Sequence, residues 1–200
     1  MPSQRATTIH RAWGVLERVQ TSALLFKKKE SSPSSPSCKQ HEIFRLFLKD
    51  DGVFPNNSHH PLLLFRSAFV HGEESQGSRI LTQASWTPPW VWGIYPYHHY
   101  HSTAWEILVC IKGQANVQLG GPAGPAISLD RGDVVLIPPG VAHKQLNASH
   151  VFALLGSYLP GSGHVDVLKG KPTNEQRQNI AKAPVPEQDP ITGIRLQDLY

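Results

Sequence analysis

The chain holds only two cysteines, Cys38 and Cys110, and one methionine among its 200 residues. Two thiols, one in a Ser/Pro stretch and one inside an apolar run, cannot form the framework of a disulfide-stapled secreted domain. Such sparing use fits a reducing compartment, and a cytoplasmic protein is expected. A lone methionine provides no thioether-rich, adaptable docking surface. No apolar run approaches the ~18 residues that a helix needs to cross a bilayer, so no membrane partner is expected. Charge is scarce too, at 17% of residues, against about a quarter in average domains.

The net charge of +4 would suit a polyanionic partner, but its distribution removes that reading. Residues 1–40 hold seven Lys/Arg against Glu17 and Glu30, whereas the remaining 160 hold twelve Lys/Arg against thirteen Asp/Glu. The globular part is nearly neutral and has no clustered basic face, which excludes nucleic acid as the partner.

Proline (17) and glycine (16) are plentiful, and both favour turns between short strands over long helices. The length gives one domain plus a tail, with enough chain for a core that needs no staples. Residues 1–40 read as a flexible basic extension. Arg, Ser and Thr are frequent there, and Trp13, Leu16, Val19 and Ala23 have the spacing of one helical face. That composition resembles a mitochondrial transit peptide, so mitochondrial import is the alternative location. Ser31 to Ser37 has nothing to bury and reads as linker.

Over residues 41–160 short apolar runs alternate with turn residues. Ala115, Val117 and Leu119 alternate with Asn116 and Gln118, and Ile127 and Leu129 with Ser128 and Asp130. Leu62–Phe65, Val134–Ile137 and Val151–Leu155 are continuous and fit strands buried on both faces. Many short strands at this spacing predict an all-β sandwich or barrel. Residues 161–200 read as a mostly irregular tail packed on that barrel. Thr173 and Gln176 form a capping-box pattern that predicts the only helix, over Asn174–Lys182.

The stretch that carries chemistry runs from Gly93 to Asn147. Gly93 is followed at fixed spacing by His99, His101, Glu106 and Gly113, and Gly132 by Pro138, Gly140, His143 and Asn147. On a strand, His99 and His101 point one way and Tyr100 the other. A turn near Ser102–Ala104 would return the chain so that Glu106, Leu108 and Cys110 face the same interior. His143, just after the stiff Pro138–Pro139–Gly140 turn, would close the set. Three imidazoles and a carboxylate suit a divalent transition metal with open positions, and donor type alone does not choose among Fe, Mn, Ni and Zn. Buried Glu106 would be costly with no cation beside it. His98 has the opposite parity and reads as a surface or hydrogen-bonding residue. His59, His60, His71, His150 and His164 show no spacing and read as solvated. Seven of the seventeen aromatics fall between Trp86 and Trp105. Most read as packing, while Tyr97 faces inward if the strand is regular there.

Both motifs match the two signature motifs of the cupin superfamily (RmlC-like) at all ten specified positions, and eighteen residues separate them. Gly93–Ala104, Val53–Asn57, Gly140–Lys144 and Asp189–Gly193 further resemble the YjlB-like cupins. The similarity runs over about residues 42–195. It implies a double-stranded β-helix, a jelly-roll barrel, with His99, His101, Glu106 and His143 as metal ligands. Fungal cupins of similar build sit beside polyketide pathways as presumed oxidoreductases. That resemblance points to a metal-dependent oxidoreductase, Fe(II) favoured, acting as a homodimer on a small aromatic or polyketide-derived molecule in secondary metabolism. Glu106 is the candidate base, and Tyr97, Leu108 and Cys110 the candidate substrate contacts. A non-redox isomerase, lyase or decarboxylase, or a ligand-binding cupin without catalysis, would use the same scaffold.

Overall fold

Alternating and continuous apolar runs become strands wherever a neighbouring strand can take their backbone hydrogen bonds. A computed structural model describes residues 16–19, 42–69, 74–161 and 163–200. Its strands are β1 (Leu16–Val19), β2 (Glu42–Leu48), β3 (Asn57–Arg66), β4 (Trp90–Trp92) and β5 (Glu106–Lys112). They continue with β6 (Gln114–Leu119), β7 (Ala126–Asp130), β8 (Val134–Ile137), β9 (His143–Ala148) and β10 (Ala153–Tyr158). Helix α1 spans Glu74–Gln83, helix α2 Asn174–Lys182, and a 3-10 turn Leu196–Leu199. A seven-stranded sheet runs in the order β1-β2-β3-β8-β5-β10-β4, and a three-stranded sheet in the order β7-β6-β9. Every pairing is antiparallel. This is the jelly-roll architecture that the resemblance implies. None of the described helices is long and apolar enough to cross a membrane.

The continuous runs are explained by two apolar layers. Leu62, Leu64, Leu108, Cys110, Val135 and Ile137 join Ala115, Val117 and Leu119 of the small sheet in the layer between the sheets. Leu63, Phe65, Ile107, Val109, Val134 and Leu136 face the other way and meet Leu81, Trp86, Trp105, Leu196 and Leu199. All four residues of β8 are therefore buried, as a strand covered on both faces must be. Burying each such Leu, Ile or Phe is worth about 2 kcal/mol, which is why the second layer needs α1 and the tail as its lid.

Three expectations change here. Leu16–Val19 is not part of a helical face but pairs antiparallel with β2, Leu16 opposite Leu46 and Val19 opposite Ile43. A sheet edge offers four residues ready partners, whereas so short a helix is marginal alone; Trp13 and Ala23 lie outside the described residues. The helix over Asn174–Lys182 is not the only one. Helix α1 carries Gly77 mid-helix, which hides it from propensity, yet that glycine lets β10 approach: a Cβ there would meet Leu155 Cδ2 at 2.9 Å. His60 is not solvated, since it lies against Trp105 with ring centroids 5.4 Å apart and its Nδ1 is 3.0 Å from the Tyr200 hydroxyl. The Thr173–Gln176 capping box of α2 is present as read, with Gln176 N–H donating to Thr173 Oγ1 at 3.2 Å and Thr173 N–H to Gln176 Oε1 at 2.8 Å.

Candidate metal centre

Three pieces of chain bring the site residues together between the two sheets. Glu106 opens β5 in the middle of the large sheet, opposite Ile137 on β8 and Tyr158 on β10. His143 opens β9 in the small sheet, opposite Leu119. His99 and His101 lie on the crossover between β4 and β5. That crossover is no ladder strand; single bridges pin it, His99 to His143 and Tyr100 to Leu168. His99 N–H donates to the His143 carbonyl at 3.2 Å, and His143 N–H returns the bond at 2.9 Å. Gly140 N–H donates to the His101 carbonyl at 2.7 Å. Gly140 is needed there: its φ is +89°, and a Cβ would sit 2.5 Å from the Asn56 carbonyl oxygen. Asn56, buried and so no glycan acceptor, ties the same loop, with its Oδ1 accepting from Ala142 N–H at 3.1 Å.

His99, His101 and His143 each bring one ring nitrogen within 4.8 Å of the others, and all three are buried. Their tautomers follow from their partners. Nδ1 of His99 faces the Tyr97 carbonyl (3.2 Å), Nδ1 of His143 the Val141 carbonyl (3.1 Å), and Nδ1 of His101 the Asp166 carbonyl. A carbonyl only accepts, so each Nδ1 carries the proton, and each Nε2 keeps its lone pair for the centre. Glu106 Oε2 lies 3.1 Å from His143 Nε2 and 3.5 Å from His101 Nε2. The angles are poor, and both Glu106 Oε2 and His101 Nε2 are buried with no hydrogen-bond partner. Orphaned atoms at the focus of three converging imidazoles are what a metal cation satisfies. The three histidines can hold a metal ion, and the carboxylate stands against two of them.

The charges agree with that donor set. Burial, with His143 beside it, pushes His99 down to about 3, so its imidazole is neutral. Burial would raise the Glu106 carboxyl, but His101 and His143 outweigh it and hold Glu106 well below its usual range. The same carboxylate lifts His101 above the ordinary imidazole range, against the pull of burial. A cation bound among these groups would offset the buried Glu106 charge and compete with protonation of His101.

Residues 93–155 match the family model described as Cupin domain. The uncharacterized protein YjlB of Bacillus subtilis (strain 168) is 39% identical over 158 residues, which is 78% of this chain and 94% of that protein. The chain is a cupin of the YjlB-like group. Among solved structures, procruciferin, an 11S globulin from Brassica napus, is 13% identical, with 64% of this chain covered and a TM-score of 0.32. This chain spans 27% of that protein. A cupin-like protein from Thermotoga maritima is 16% identical, covering 78% of this chain and 100% of its own, with a TM-score of 0.31.

The remaining site residues of this cupin fall in different places. Tyr97 adjoins His99, edge-on with centroids 5.9 Å apart, and stacks on Tyr95 at 4.9 Å. Leu108 and Cys110 lie further along β5 on the face of Glu106, inside the layer between the sheets. Burial, aided by Asp133 and Asp130, pushes the Cys110 thiol up to about 12, so no thiolate forms there at neutral pH. Tyr100 does point away from its histidine neighbours, but not to solvent. The tail covers it, and it is fully buried with Phe54, Ala142, Leu168 and Ile180. His98 is half-buried, 3.2 Å from Gln118 Oε1, the hydrogen-bonding role expected of it.

Sequence reasoning missed Tyr158 and Trp90. Tyr158 stands against Glu106, and burial, then that carboxylate, push its phenol well above the usual range, so it keeps its proton. Its ring lies 5.3 Å from His101 and 6.2 Å from Trp90. Between these aromatics Gly156 has no side chain because the indole occupies its place: a Cβ would meet Trp90 Cζ2 at 2.1 Å. Gly156→Ala is expected to destabilise the fold by about 1–3 kcal/mol in urea unfolding, and to do so by less than about 0.5 kcal/mol in a Trp90→Ala background. Equal losses in both backgrounds would refute the packing account.

Proposed function

We propose that this cupin is a metal-dependent oxidoreductase acting on a small organic molecule of aromatic or polyketide type. His99, His101, Glu106 and His143 would hold one divalent metal, Fe(II) in preference to Mn, Ni or Zn. The observation that carries the reading is the set of three Nε2 lone pairs, each fixed by a backbone carbonyl on Nδ1, beside the orphaned Glu106 Oε2. A nitrogen-rich site with one carboxylate suits a redox-active transition metal and leaves positions free. When bound, such a metal supplies electrophilic activation and one-electron chemistry.

The chain's own groups do the rest. Glu106, held as a carboxylate, can take a proton from a substrate hydroxyl or carbon, with the protonated Tyr158 standing beside it. Tyr97 sets the edge of the substrate space beside His99. Leu108 and the protonated Cys110 give it an apolar floor. The same reading makes the protein a cytoplasmic homodimer.

Metal content decides it. Untagged protein analysed by plasma mass spectrometry is expected to carry close to one iron per chain. Manganese, nickel or zinc at that level would turn the reading toward non-redox lyase or isomerase chemistry. No metal after reconstitution would overturn the ligand assignment.

A further inference from the structure

A strap from the C-terminal segment crosses the histidine-bearing crossover. The Asp166 carbonyl takes the His101 Nδ1 proton, and its carboxylate accepts from Ser102 N–H at 2.7 Å and Ser102 Oγ at 2.5 Å. Two residues on, Leu168 exchanges backbone hydrogen bonds with Tyr100 at 3.0 and 2.9 Å. Lys169 follows directly, so its position beside His99–His101 is set by backbone pairing and not by its own flexible stem. Its Nζ sits 3.6 Å above the centroid of Tyr97, the ring that is edge-on to His99.

This cation has no acidic partner among the described residues. Arg66, Arg177 and Arg195 each rest on an aspartate, at 2.5, 2.6 and 2.9 Å. Among the described residues Lys169 forms no ion pair, and the nearest acid on its strap, Asp166, is committed to Ser102. A cation over an aromatic face is held by about 0.5–1 kcal/mol where exposed, which fixes its direction without neutralising it. Tyr95 stacks on Tyr97 at 4.9 Å and is itself edge-on to His99 at 5.0 Å. This part of the rim is therefore aromatic, with the Lys169 ammonium over it.

We propose that Lys169 and Tyr97 form an anion subsite at the rim of the metal centre, and that the substrate class is a small aromatic carboxylate. This rests on the metal-centre reading above: the carboxylate is taken by Lys169 while the ring lies along the tyrosines, presenting its reacting oxygen or carbon to the histidines. Losing this charge-assisted contact, made by an exposed ammonium against an aromatic face, is expected to weaken carboxylate binding about tenfold.

The test uses the full chain reconstituted with Fe(II) under argon, as wild type, Lys169→Gln and Lys169→Arg. Metal content is read by plasma mass spectrometry, and binding of benzoate, salicylate, phenylacetate and neutral benzyl alcohol by calorimetry. The expected result is equal metal in all three proteins and carboxylate binding about tenfold weaker in Lys169→Gln. Lys169→Arg should retain that binding, and benzyl alcohol should be indifferent to the substitution. Carboxylate affinity equal in Lys169→Gln and wild type overturns the subsite, as does a metal-loaded wild type that binds none of the three acids. A wild type that takes up no metal overturns the centre itself, and the subsite with it, so the two failures are told apart by the metal assay.

Discussion

His101→Ala is expected to yield a folded protein that retains less than a tenth of the wild-type metal. His101 is the ring whose Nε2 has no hydrogen-bond partner, while its Nδ1 proton is committed to the Asp166 carbonyl. The substitution removes one of three converging nitrogens and leaves Glu106 against His143 alone. It does not touch the two apolar layers, so the β-rich circular dichroism spectrum should be unchanged. Metal bound at a thousandfold excess over its Kd adds about 4 kcal/mol to stability, or roughly ten degrees in Tm for a chain of this size. Chelator should therefore lower the Tm of the wild type by about that amount and leave His101→Ala where it is. Turnover, where it is followed, should drop by two orders of magnitude or more. A variant that keeps stoichiometric metal removes His101 from the centre.

Asp133→Ala is expected to destabilise the fold strongly, by about 3 kcal/mol in urea unfolding. The buried carboxylate accepts from Ser67 N–H at 2.9 Å, Asp130 N–H at 3.1 Å and Arg66 Nη1 at 2.5 Å. It thereby joins the end of β3 to the turn between β7 and β8. Removing it orphans two backbone donors and one guanidinium contact together. Arg66 is partly exposed, at 28%, so water can recover some of its share, and the two amides carry most of the loss. Asp133→Asn keeps an acceptor and should lose about half as much. A loss below about 1 kcal/mol for Asp133→Ala would show that the turn is held by its backbone alone.

The residues with the most geometric constraint were the most legible in the sequence. His99, His101 and His143, which the structure brings together, stand at fixed spacing in the two motifs that resemble the cupin signature, and so they could be singled out before any fold was known. Alternation in β6 and β7, and the capping box of α2, are equally local signals. What could not be read depends on strand order. Tyr158 meets Glu106 only because β10 lies next to β5, and Trp90 fills the space over Gly156 only because β4 edges β10. Neither neighbour relation leaves a mark within a short window. The direction of Tyr100 could be read, but not its cover, because Leu168 and Ile180 lie far along the chain. Helix α1 was hidden by Gly77, a residue chosen for the approach of Leu155 and not for helix formation.

The strap at Asp166–Lys169 separates two things that are easily equated. The pattern by which a cupin is recognised is complete at Asn147. The tautomer of His101 is settled by an oxygen nineteen residues beyond that point, on a segment that carries no motif position. The aim of His101 therefore depends on a longer stretch of chain than the signature covers. Two cupins with identical signatures can differ in whether their second histidine is aimed, and the difference would lie in the part of the alignment where the signature has ended.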